Sequence, residues 1–275
     1  MDSLFPGHPA GAQRYKDNAL EGLAIWAELT DLAIVTTHPE TLDGFYEYLM
    51  ARKPANLSLI GGVSTYSLPG CTDKTHKQPY DFADAAEWQR IVERCRRISK
   101  ATGIDIVLLE NEYALHRFHE GENVDLARLR KALAPLRETG LSVLWYLPTI
   151  QAPSREIPNQ TERTAALLRA IHEAVPKARF VCGHIGYPGW DKSPEMQWRR
   201  QVMLGSYDCI DYLFASPDGV YAGIKERVWM PRAALDEIKR LGLPGVIVYP
   251  GAGAWCETAK AFVAEVQAER TAKKP

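Results

Sequence analysis

Glu110 and Glu112 stand one residue apart at the end of the apolar run Ile104 to Leu109. Two carboxylates there are costly to bury unless each is paired or hydrogen-bonded. If the run is a strand, side-chain alternation puts both acids on one side and Asn111 on the other. Like charges sharing a side repel, and one of the two is expected to keep its proton to higher pH. A carboxylic acid held protonated near neutrality is a general acid. The plainer alternative is that one Glu pairs with an arginine or caps the following helix.

Other chemistry-bearing residues fall at similar places. His38 follows the run Leu32 to Thr36, and His184 ends the run Arg179 to His184. With Glu110 they form a set of His, Glu and His from three separate runs, which can hold a divalent metal and activate a water. A histidine in such a place is more commonly a hydrogen-bonded pocket or loop residue. Tyr66, Tyr113, Trp145, Tyr146, Tyr187, Trp190, Tyr249 and Trp255 lie at or near run ends. Sugar rings stack on such faces, and Tyr146 and Trp190 are the preferred platforms, although many of these rings are expected to be packing residues. His116 and His119 share a polar stretch with Arg117 and Glu120 and read as surface, as does Arg199-Arg200. Ser67 to Gln78, with Lys74, His76 and Lys77, reads as a loop at a site rim. There is no G-x-S-x-G elbow, no phosphate-binding G-x-x-x-x-G-K-[ST] and no G-x-G-x-x-G. No nucleotide or other cofactor is therefore expected.

The elements that must position these residues follow from the hydrophobic pattern. Seven short apolar runs read as buried strands: Leu32 to Thr36, Leu57 to Gly61, Ile104 to Leu109, Ser142 to Leu147, Arg179 to His184, Cys209 to Ala215 and Gly245 to Tyr249. Between them lie helical stretches. Glu87 to Lys100 puts Trp88, Ile91, Val92, Cys95 and Ile98 on one stripe, and Asp125 to Thr139 does the same with Leu126, Leu129, Leu133 and Leu136. Pro135 should kink or shorten the second. Asn159 is positioned to cap a helix over Gln160 to Val175. Ala233 to Leu241 and Glu257 to Ala268 complete the set, and Gly103, Gly140 and Gly242 each follow a helix, where glycine is favoured.

Strand and helix in alternation imply a parallel sheet. About seven such units in 275 residues point to a single (β/α)8-type TIM barrel spanning residues 1–275, with an open doubly wound sheet as the runner-up. In parallel α/β folds function gathers past the C-terminal ends of strands, where the acids, histidines and aromatics above are found. One irregularity stands out. The helical stretch Arg14 to Leu29 precedes the first clear strand, and Met1 to Gln13, with Pro6, Gly7, Pro9 and Gly11, makes a poor strand. The barrel then has about seven strands, an irregular first strand, or a first strand outside this sequence.

Composition fits an ordinary globular protein, with 46% hydrophobic and 24% charged residues. A formal net charge of -1 gives no bulk attraction to nucleic acid or to an anionic membrane. No apolar run approaches the roughly 20 residues of a membrane helix. Met1 to Gln13 lacks the basic start and apolar stretch of a signal peptide, which favours a cytosolic location. The five cysteines are scattered, without C-x-x-C, so neither a disulfide scaffold nor a cysteine zinc site is expected; Cys95, Cys182 and Cys209 read as core.

The stretch Gly103-Ile104-Asp105-Ile106-Val107-Leu108-Leu109-Glu110-Asn111-Glu112 resembles the strand of TIM-barrel glycoside hydrolases that ends in an acid or in an Asn-Glu pair. The resemblance implies that Asn111 touches a sugar hydroxyl and that Glu112 is the general acid/base; against the variant ending Leu-acid-Asn, Glu110 takes that role. One feature departs from the family. Its retaining members place a second Glu at the end of a late strand, whereas here that strand ends Val248-Tyr249-Pro250-Gly251. Glu257 reads as a helix start, so the partner acid would be the other Glu, Asp211 or Asp218. Gly183-His184-Ile185-Gly186 in turn resembles a strand end of metal-dependent amidohydrolases, but the early His-x-His and late acidic ligand of that family are absent.

Three functions follow as expectations. The first is a glycosidase acting on a carbohydrate through Glu110 and Glu112, with His38, Asn111, Tyr146, His184, Trp190 and Tyr249 lining the pocket and no metal. The second is a metal-dependent hydrolase or isomerase using His38, Glu110 and His184. The third is a barrel that binds a sugar without turning it over.

Overall fold

The computed structural model describes residues 9–28, 31–37, 42–64, 81–110, 118, 121–147, 157–185, 210–215 and 246–248, together with 260, 263, 264, 267, 268, 271 and 272. Helix α1 (Pro9–Trp26) comes first, then β1 (Leu32–Thr37), α2 (Phe45–Met50), β2 (Ser58–Ser64), α3 (Ala85–Thr102) and β3 (Ile106–Glu110). The chain continues through α4 (Leu126–Glu138), β4 (Ser142–Leu147), α5 (Gln160–Ala174), β5 (Ala178–Ile185), β6 (Ile210–Ala215) and β7 (Val246–Val248). The seven strands form one parallel sheet in the order β1-β2-β3-β4-β5-β6-β7. A doubly wound sheet reverses its order at a switch point. Here every step goes the same way, as in a (β/α) barrel.

The two faces of the sheet are read directly from alternation. Val35, Leu59, Val63, Val107, Leu109, Val143, Trp145 and Phe180 pack outward against Phe45, Trp88, Ile91, Ile98, Leu133 and Ile171 of the helices. Ile60, Leu108, Leu144 and Tyr146 form a separate cluster on the other face, with Ile34 and Ile106 against it. This second cluster is the plug of the barrel. Burying each large outward side chain contributes about 1.5–3 kcal/mol, which makes the helix layer the main source of stability.

The strands lie within a few residues of their expected places. The helices differ more. Helix α1 begins at Pro9, ahead of the expected Arg14, because proline is tolerated in a first turn that has no amide partner to lose. Pro135 lies inside α4, which runs on to Glu138 with Leu129, Leu133 and Leu136 buried on both sides of it. Asn159 does precede α5, but it has φ 57° and its side chain makes no capping bond. Asp84 and Asp125 are the caps that work: Asp84 accepts from the Ala86 amide, and Asp125 from those of Ala127 and Arg128. Gly103 and Gly140 end α3 and α4 with φ 71° and 73°, left-handed values that glycine adopts without strain.

Candidate functional site

Register fixes what stands at the C-terminal rim. Ser64 pairs with Glu110, Glu110 with Tyr146, Tyr146 with Val181, and Val181 with Tyr212. One layer below, Thr36 pairs with Gly62, Gly62 with Leu108, and Leu108 with Leu144. Glu110 is two residues beyond Leu108 on the same strand, so it shares the inner face and stands roughly 7 Å along the strand from Leu108, level with Tyr146. It is half-buried. Tyr146 is 3% exposed and belongs to the plug itself. Its ring therefore packs the floor beside Glu110 and presents little face to solvent.

Two phenols from the outer helices reach the same strand ends. The Tyr15 hydroxyl, on α1, donates to the Thr36 carbonyl at 2.9 Å. The Tyr46 hydroxyl, on α2, lies in donor range of the Val35 carbonyl at 2.8 Å and the Gly62 carbonyl at 2.5 Å, and accepts from the Gly62 amide at 2.8 Å. It thus sits in the seam between β1 and β2. Gly61 makes room for it: a Cβ there would meet Ile98 Cγ2 at 2.3 Å and the Tyr46 ring at 2.8 Å. Gly62, on the inner face, is equally confined, with Thr36 Cγ2 at 2.7 Å and Leu108 Cβ at 2.9 Å from its would-be Cβ. Burial pushes both phenols well above their ordinary pKa, and the charge of Glu110 adds to the rise in each. Both hydroxyls therefore stay neutral through the physiological range.

Two described positions that follow β3, Phe118 and Glu122, contact α5. Phe118 is buried, the Arg163 guanidinium lies over its ring at 4.9 Å from the centroid, and Arg163 donates to the Glu122 carbonyl at 2.8 Å. Among the named candidates, the structure brings Glu110 and Tyr146 together as register neighbours. His184 lies in β5 beside the register shift between Cys182 and Ile185, and Asp211 lies in β6. His38, Asn111, Glu112, Trp190, Asp218 and Tyr249 lie outside the described residues, as do Cys209, His116, His119, Arg199-Arg200, Ser67 to Gln78 and the helix expected over Ala233 to Leu241. Among the described residues no group of three or more His, Cys, Asp and Glu side chains is arranged to hold a metal, and no helix is long and apolar enough to cross a membrane. Tyr15 and Tyr46 escaped the sequence reading; the pair Gly61-Gly62 inside an apolar strand was the one signal of a close approach there.

No protein-family model matches the sequence, and no curated protein matches it closely enough to count as a relative. Solved structures do match by shape. An AP endonuclease, family 2, from Brucella melitensis superposes with a TM-score of 0.51 at 14% identity, over 90% of this chain and 92% of that one. A sugar phosphate isomerase/epimerase from Parabacteroides distasonis gives 0.49 at 13% identity, over 93% and 91%. A family 18 chitinase from Crocus vernus gives 0.45 at 14% identity, over 85% and 76%. The chain has the fold of the TIM-barrel enzymes.

Proposed function

We propose that this barrel is a carbohydrate-active hydrolase in which a strand-end glutamic acid at the mouth serves as general acid. The observation that carries the reading is the place of Glu110: half-buried on the inner face, in register with Tyr146 and next to the apolar cluster of Leu108 and Leu144. An acid beside an apolar floor suits a sugar, whose ring faces are apolar and whose rim is hydroxylated. Glu110 or Glu112 protonates the glycosidic oxygen as the bond to the anomeric carbon breaks. The other acid, Asp211 or Asp218, or a water that one of them holds, attacks that carbon. Asn111, His38, His184, Trp190 and Tyr249 contact the sugar hydroxyls and ring faces.

The test is turnover of a panel of aryl glycosides and oligosaccharides by the wild-type chain and by its Glu110→Gln and Glu112→Gln variants. Loss of a general acid lowers turnover by roughly 10²- to 10⁴-fold. One of the two variants should fall by that much. Full turnover in both would sink the assignment. Metal found in the purified protein, with activity lost to a chelator, would move the case to a metal-dependent enzyme using His38, Glu110 and His184. Oligosaccharide binding without turnover would make the barrel a sugar-binding protein.

A further inference from the structure

The sheet's outward face is filled almost entirely by aliphatic and aromatic packing, yet two tyrosines of that layer direct hydroxyls into the backbone of β1 and β2. Thr36 and Val35 are consecutive residues at the end of β1, and both of their carbonyls accept from a tyrosine of a flanking helix. Successive carbonyls of a strand point to opposite edges. Val35 and Gly62 meet at the Tyr46 hydroxyl, so the Val35 carbonyl faces β2. The Thr36 carbonyl therefore faces the other edge of β1, and Tyr15 occupies it. The end of β1 is gripped from both sides. The tip of β2 is held through the Gly62 amide, and the next residues along, Val63 and Ser64, pair with Leu109 and Glu110.

We propose that Tyr15 and Tyr46 are positioning residues of the Glu110 site, holding the ends of β1 and β2 so that the Ser64 to Glu110 pairing keeps the carboxyl at the barrel mouth. The sequence builds for this at Gly61, where any side chain would collide with the Tyr46 ring. The Ser64 to Glu110 pairing stands two residues beyond the Gly62 amide that Tyr46 holds, and the charge of Glu110 adds to the raised pKa of both phenols. Since both hydroxyl protons are directed at backbone carbonyls, the phenols act on Glu110 through the strands and not as proton donors to it. The inference rests on Glu110 being the working acid, but its test needs no substrate.

The full chain would be labelled with 13C at the glutamate carboxyl carbons and with 15N. The Glu110 signal is assigned by its absence in Glu110→Gln. Tyr15→Phe and Tyr46→Phe are compared with wild type at one fixed pH, with Tyr48→Phe as the control, because Tyr48 is a helix-surface residue whose hydroxyl bonds Asp17 at 2.6 Å. In Tyr46→Phe the Gly62 amide should exchange roughly fivefold faster, as for one lost neutral hydrogen bond. In both test variants the Glu110 carboxyl signal should move, and in Tyr48→Phe it should not. Faster Gly62 exchange with an unmoved Glu110 signal would overturn the proposal and leave Tyr46 a stabilising residue only. If Tyr46→Phe fails to fold, Tyr15→Phe decides alone, because it keeps the ring packed on Phe45 at 5.5 Å. An unmoved Glu110 signal there is equally fatal. Absence of glycosidase turnover alongside a moved signal would strike the proposed function and spare the positioning.

Discussion

Cys95 shows how burial alone sets chemistry at a single residue. It lies on the inner stripe of α3, fully buried, and desolvation pushes its thiol up to about 12, against a smaller lowering by Arg94. It is a free cysteine that stays protonated and inert in the folded protein. The unfolded thiol ionises near its ordinary value of 9.0. Between those two values the unfolded state sheds a proton that the folded state keeps. The stability from this burial is therefore fully present below pH 9.0 and is lost as pH rises toward 12. Tyr15 and Tyr46, raised for the same reason, act in the same direction from their ordinary value of 10.0 upward. The urea midpoint should fall as pH rises above 9.0, and more gently in Cys95→Ala than in wild type. Equal slopes in the two proteins would remove Cys95 from the explanation.

The helix starts are where element-scale reasoning can be checked, because α4 and α5 begin in different ways. Asp125 accepts two amides of the first turn of α4, at 3.0 Å each. Asn159 stands at the same position before α5 but makes no such bond and sits at φ 57°. Asp125→Ala should cost about 1 kcal/mol, whereas Asn159→Gly should change stability by no more than about 0.5 kcal/mol. Denaturant titration measures both, and equal losses would contradict the difference between the two caps. The same contrast explains what could be read in advance. Strands announced themselves because each is a short β-branched or aliphatic run bounded by polar residues and glycine. Helix α2 did not, since six residues make under two turns and show no period. A residue type can suggest a cap, but it does not carry the φ of Asn159. Glu110 was legible as an acid ending an apolar run. Tyr15 was not, because its bond to Thr36 spans 21 residues and exists only once α1 packs on β1.

At the scale of the whole molecule, the order β1 to β7 leaves the first and last strands of the sheet far apart along the chain, and they have to be brought round to each other. The C-terminal residues bear on this. Lys260, Val263, Ala264, Gln267 and Ala268 are helical at a spacing of three and four, which sets them on one stripe. Val263 is 3% exposed, and Gln267 donates to the Glu28 carboxylate, just past α1, at 3.4 Å. The end of the chain thus lies against its beginning, 239 residues away in sequence. An exposed contact of that length is worth little by itself, and among the described residues of this stripe Val263 is the buried one. If the barrel is one cooperative unit, loosening this seam destabilises everything and not just the tail. Val263→Ala should cost about 2 kcal/mol of global stability. Tryptophan fluorescence, to which the buried Trp26, Trp88 and Trp145 contribute, should shift its midpoint together with the far-ultraviolet dichroism. A fluorescence midpoint that stays at the wild-type value while the dichroism loses an early fraction would mean that the tail melts separately, and that strands β1 to β5 with their helices fold without it.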